Sequence, residues 1–164
     1  MGYSRFPLCR RWTILSLANF VVVSLLGVLL RYKIAFPLPV INYKYLLNAH
    51  SHFAFSGWVS MAIFTALVYM VSDQEGEIKA VYRYQFLFGQ LANFGMLFSF
   101  PFEGYGTVAI IFSSLSILFS YWFAWQYRKD LYRSSLPLPV KYFAAAALLF
   151  LVISSAGPFL LGYI

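Results

Sequence analysis

Five apolar stretches, each about twenty residues long, restrict more than any other feature what this chain can fold into. A hydrocarbon layer roughly 30 Å thick takes about 20 helical residues to cross. A helix also pairs its backbone polar groups internally, which lipid requires because it offers them no hydrogen bonds. The sequence therefore predicts an all-α integral membrane protein, a single helical bundle with five transmembrane helices. The predicted helices cover about residues 12–30, 46–71, 84–102, 107–127 and 142–164.

The composition indicates the same class of protein. Hydrophobic residues make up 62% of the 164 positions and charged residues only 10%, against about 25% charged residues in a typical soluble domain. The net charge of +7 comes from basic residues in short connections, where they act as topology signals. The lipid bilayer is therefore the predicted partner, and nucleic acid is not.

The basic residues also predict an orientation. When successive connections alternate between the two sides of the membrane, nine basic residues lie on the side of the amino terminus and three on the other. The positive-inside rule then places the amino terminus in the cytoplasm, in a multi-pass chain of a bacterial-type cytoplasmic (inner) membrane. The cytoplasmic set is Arg5, Arg10, Arg11, Lys79, Arg83, Arg128, Lys129, Arg133 and Lys141, and the outer set is Arg31, Lys33 and Lys44.

The only two histidines, His50 and His52, enter the second stretch near the predicted outer face. Ionisable side chains within membrane segments are costly and mark functional sites, and imidazole is a common ligand of transition metals and of haem iron. Successive helical residues turn by about 100°. The two side chains therefore face nearly opposite ways and cannot both bind one iron from a regular helix.

His50 is the favoured haem-iron ligand and His52 the alternative. The helical face of His50 also carries Ala54, Gly57 and Met61, and small residues there leave room for a flat macrocycle or a close neighbour. The structural alternative is a histidine that is solvated or hydrogen-bonded at a membrane interface. A copper or zinc site shared by the pair is disfavoured, because two ligands are too few for a closed site. Predicted hydrogen-bond donors around the pair are Tyr43, Tyr45, Asn48 and Ser51.

Polar residues elsewhere in the stretches are predicted to hydrogen-bond one helix to another. The first stretch contains Asn19, and the third contains Gln90 and Asn93. The fourth contains Ser113, Ser114, Ser116 and Ser120.

Residues 48–59, with the sequence NAHSHFAFSGWV, resemble the second helix of subunit I of the haem-copper oxidase superfamily. That superfamily includes cytochrome c oxidases and the large subunit of nitric oxide reductase. In it, a histidine near the outer end of this helix is an axial ligand of the low-spin haem. The resemblance assigns that role to His50, with His52 as the alternative, in a small or truncated divergent member.

The resemblance covers this short segment and the order of the helices. The family's other haem and copper ligands come from later helices, and this chain has no further histidine. The resemblance, with no further histidine to bind copper, therefore implies haem without copper. It also implies a second axial ligand from another membrane subunit or a homo-oligomer. The implied function is respiratory electron transfer within an oxidoreductase complex, without catalysis by the chain alone. The alternative is a non-catalytic membrane subunit or assembly factor that has lost the cofactor. The apolar run up to Ile164 is also compatible with the front part of a longer protein.

Overall fold

The computed structural model describes residues 7–75 and 78–155. Those residues are all-helical and contain no strand. The three elements within residues 43–75 form one uninterrupted helix, so the described part of the chain contains five helices, the number that the sequence predicts. The predicted residues 156–164 of the fifth helix lie outside the described part. The elements are α1 (Pro7–Ala35), α2 (Tyr43–His52), a π-helical segment (Phe53–Ser60), α3 (Met61–Glu75), α4 (Ala80–Glu103), α5 (Thr107–Arg133) and α6 (Leu138–Ser154).

Local residue chemistry sets the start of α2 and the end of α4. The side-chain oxygen of Asn42 accepts hydrogen bonds from the backbone N–H groups of Lys44 and Tyr45, at 2.9 and 3.4 Å, as an N-cap residue does. Helix α4 stops at Gly104, whose φ of 61° suits glycine because it has no Cβ. The ring of Tyr45 occupies the place that a Cβ would take. The ends of the two helices therefore pack together.

Among the residues that the structure describes, three helices are long and apolar enough to cross a membrane: Leu8–Ala35, Tyr43–Ser72 and Thr107–Arg133. Large hydrophobic side chains cover their outward faces, including Leu25 and Val28 on α1. This surface is compatible with a multi-pass membrane protein. Helix α4 is more polar, and α6 is described over 17 residues. Five complete spans therefore remain a prediction.

The core consists of two groups of buried side chains at different levels of the bundle. One lies beside the histidines and joins α2 to α4 and α5 through Ala49, Phe100 and Ala109. The larger group lies farther along the bundle, where the rings of Phe64 and Phe123 stack at 3.9 Å between centroids. Apolar packing thus holds α2–α3, α4 and α5 together at both levels.

A buried carboxylate joins helices beside the larger group. Asp130, only 1% exposed, accepts hydrogen bonds from Lys79 at 2.6 Å, from the hydroxyl of Tyr82 at 2.6 Å and from Gln126 at 3.1 Å. Three donors compensate the desolvation of the charge. Lys79, assigned above to topology alone, therefore also has a structural partner on α5.

Candidate functional site

The π-helical segment follows the histidines directly and is held by side-chain amides of neighbouring helices. A π-helix pairs residues i and i+5 and often marks a functional site. The carbonyl oxygen of Gly57 accepts a hydrogen bond from the Asn19 side-chain amide at 2.5 Å, and that of Ser56 accepts one from Asn93 at 3.2 Å. Donors on α1 and α4 thus bind backbone carbonyls of this segment.

The same amides bond to one another across the bundle. Asn19 and Gln90 exchange two hydrogen bonds, of 3.0 and 3.3 Å. The side-chain oxygen of Asn93 accepts a hydrogen bond from the Ser116 hydroxyl at 3.3 Å. The predicted bonding between helices is confirmed for these four residues. Ser113 and Ser120 instead donate to carbonyls of their own helix.

His50 projects from α2 toward α1, where a glycine makes room for its ring. The imidazole Cε1 lies 3.3 Å from the position that a Cβ on Gly27 would take. The Nδ1 atom is buried and has no hydrogen-bond partner among the described residues. A buried polar atom without a partner costs about 1–3 kcal/mol. His50 therefore has an uncommitted ring nitrogen beside α1.

His52 lies on a different side of α2, as the helical turn angle predicts. Its Nε2 atom is 3.0 Å from the hydroxyl of Tyr105. Its ring also stacks on Phe100, with the centroids 4.6 Å apart and the planes 17° from parallel. These contacts pack His52 against the end of α4 and the connection to α5. The surroundings of His52 are those of a structural histidine.

One expectation about the surroundings of His50 is wrong. The space at Gly57 is taken by the ring of Phe53, so the room beside His50 comes from Gly27 instead. The sulfur of Met61 lies 4.0 Å from the position that a Cβ on Gly89 of α4 would take.

None of the four predicted donors hydrogen-bonds to His50 within the part of the chain that the structure describes. Tyr45, one of them, instead packs against Gly104. Over the same residues, no group of three or more His, Cys, Asp or Glu side chains is arranged to hold a metal ion. Because His50 and His52 lie on different sides of α2, a single metal ion or haem iron can bind only one of the two imidazoles.

Sequence reasoning missed Gly27, Phe100 and Tyr105, the residues that distinguish the two histidines. Gly27 precedes His50 by 23 positions, and Tyr105 follows His52 by 53 positions. A glycine within an apolar helix is a signal of close approach, but it does not identify the neighbour.

Comparison of the chain with protein-family models, curated proteins and solved structures finds no match. The resemblance to the haem-copper oxidases therefore stays an expectation from the sequence.

Replacing Tyr105 with phenylalanine tests the structural role of His52. The variant removes the bond to Nε2 but keeps the aromatic edge against Phe100. We expect the free energy of unfolding to fall by less than about 1 kcal/mol, the usual net value of one such bond. Denaturation in mixed detergent micelles measures this change. Phe100→Ala is expected to cost more, because it removes a fully buried ring. Equal effects of the two substitutions would contradict this ranking.

Proposed function

We propose that this chain is a haem-binding membrane protein in which His50 is an axial ligand of the iron. The difference between the two histidines is the observation that carries the proposal. His52 is bonded to Tyr105 and stacked on Phe100, whereas His50 retains a buried nitrogen without a described partner. Haem needs only one imidazole from this chain, so the absence of a larger ligand cluster among the described residues is compatible with it.

The surroundings of His50 fit one half of a haem site. Gly27 lets the imidazole lie close to α1, which limits its rotation. A ligated histidine usually hydrogen-bonds through its second nitrogen, and no described residue supplies that bond. We assign the second axial ligand to another membrane subunit or to a second copy of the chain.

The proposed role is electron transfer in a respiratory oxidoreductase complex of a bacterial-type inner membrane. Bound haem supplies one-electron chemistry. The chain itself holds and orients the imidazole, and the apolar helices around it exclude water. With the amino terminus in the cytoplasm, as the basic residues favour, His50 lies near the outer face. Three long apolar helices support the membrane setting.

The experiment is purification from haem-replete membranes of wild type, His50→Ala and His52→Ala. We expect wild type to show a Soret band, His50→Ala to lose it and His52→Ala to retain it. Haem extraction gives the stoichiometry, and size-exclusion chromatography shows whether each variant is folded. A colourless wild type, together with normal cellular function after both histidines are replaced, would instead favour the non-catalytic subunit.

Substitutions at Gly27 test the same site with both histidines intact. A Cβ there lies 3.3 Å from the His50 ring, which is tight, and the added methyl groups of valine reach the space of the ring. Haem content is expected to be highest in wild type, lower in Gly27→Ala and lowest in Gly27→Val. The control is Ser24→Val, an exposed position one turn away on α1, which should retain its haem. An unchanged haem content in Gly27→Val would show that His50 is not part of the haem site.

A further inference from the structure

A small, partly open cavity with both apolar and polar side chains in its lining is present in the bundle, apart from His50. It has a volume of about 20 Å³, and a single water needs roughly 10–15 Å³ on the same measure. Apolar and polar side chains of the π segment, α3, α4 and α5 surround it. Its polar lining consists of Ser56, Ser60, Gln85, Asn93, Ser116 and Ser120.

Gln85 gives the cavity a chemical preference. This side chain is only 4% exposed, and its amide nitrogen donates to the carbonyl oxygen of Trp122 at 3.1 Å. Its Oε1 atom is buried and has no hydrogen-bond partner among the described residues. A buried amide oxygen in this situation needs a donor. Because Gln85 lines the cavity, an occupant that donates a hydrogen bond would satisfy this oxygen.

The serine hydroxyls extend the same preference. The hydroxyl hydrogens of Ser56, Ser116 and Ser120 are already donated to His52 O, Asn93 Oδ1 and Ser116 O. Their oxygens consequently present lone pairs to the cavity. The hydroxyl of Ser60 is not bonded to any described residue and is free to donate or accept. The site thus offers several acceptors and one adaptable hydroxyl.

We propose that the cavity is a binding site for one water molecule that links the π segment to α4 and α5. Water supplies two donors for the acceptors and accepts from Ser60. A bare cation is disfavoured because no carboxylate lines the cavity and an unpaired charge inside a bundle is costly. This bound water joins Ser60 and Gln85, which are not hydrogen-bonded to each other directly.

Two buried methionines make the proposal testable by hydroxyl-radical labelling. Met61 lines the cavity and is 4% exposed, whereas Met96 is 2% exposed and packs in the other buried group. Radiolysis of a bound water oxidises the side chains that touch it, and methionine becomes the sulfoxide. In detergent-solubilised full-length protein in H₂¹⁸O, we expect Met61 to be oxidised several-fold faster than Met96, with incorporation of ¹⁸O.

Gly89→Ala tests whether the faster oxidation of Met61 depends on the bound water or only on the reactivity of its sulfur. Gly89 lines the cavity, and its added Cβ would lie 4.0 Å from the sulfur of Met61, so the methyl group fits and fills the space. The Met61 rate should fall to that of Met96, while the Met96 rate stays unchanged. Equal labelling of the two methionines in wild type would overturn the proposal, as would a Met61 rate unchanged by Gly89→Ala. Labelling that falls as sodium or ammonium is added would assign the cavity to a cation and also overturn it.

Discussion

Asp130→Ala is expected to lower the free energy of unfolding by about 3 kcal/mol, at the low end of the cost of breaking a buried ion pair. Asp130 is 1% exposed and accepts three hydrogen bonds, from side chains before α4, on α4 and on α5. Without it, the buried hydroxyl of Tyr82 loses a charged acceptor. The Lys79 side chain is 36% exposed and regains water, which keeps the cost at the low end.

The measurement is equilibrium unfolding in mixed micelles, followed by tryptophan fluorescence. Gln126→Ala is the matched control, because it removes the longest of the three bonds and leaves the carboxylate in place. We expect it to cost about 1 kcal/mol. A loss in Asp130→Ala no larger than that of the control would show that the carboxylate does not hold α4 against α5.

Asn19→Leu is expected to lower the free energy of unfolding by about 2–3 kcal/mol, from several interhelical bonds of up to about 1.7 kcal/mol each. The substitution keeps the approximate volume but removes the donor to Gly57 and both bonds to Gln90. These groups are buried, so water does not replace the lost bonds. The π segment should therefore loosen.

Amide hydrogen exchange over Phe53–Ser60 is the specific readout, and exchange there should accelerate more than in α5. Ser24→Ala is the control on the same helix, because the Ser24 hydroxyl is exposed and donates only to the Phe20 carbonyl of its own helix. It should leave both stability and exchange nearly unchanged. If the π segment keeps its protection from exchange in Asn19→Leu, the Asn19 amide does not maintain the π-helical geometry.

The five predicted helices are present in the described residues, the fifth of them only in part, because their signals are local. The apolar stretches in α1 and α5 are long enough to be recognised one residue after another, and the observed helices extend past the predicted bounds to Pro7–Ala35 and Thr107–Arg133. The π segment lacked such a signal, since its residues read as ordinary apolar helix. Its carbonyl partners, Asn19 and Asn93, lie on other helices.

The geometry of the candidate site was also predicted only in part from the sequence. The turn of an α-helix predicts that His50 and His52 face different sides, because both lie within the regular α2. Which imidazole has a buried nitrogen without a described partner does not follow from that angle. Gly27 on α1 and Tyr105 beyond α4 make that distinction.

Residue order alone establishes an all-helical chain with membrane-type apolar stretches and two histidines on opposite sides of one helix. These are properties of hydrogen bonds and side-chain directions within single helices, set by neighbours a few residues away. Helix packing assigns His52 to Tyr105 and Phe100, places His50 against Gly27, and forms the cavity beside Gln85. Those outcomes depend on contacts between residues far apart in the chain, which no local pattern specifies.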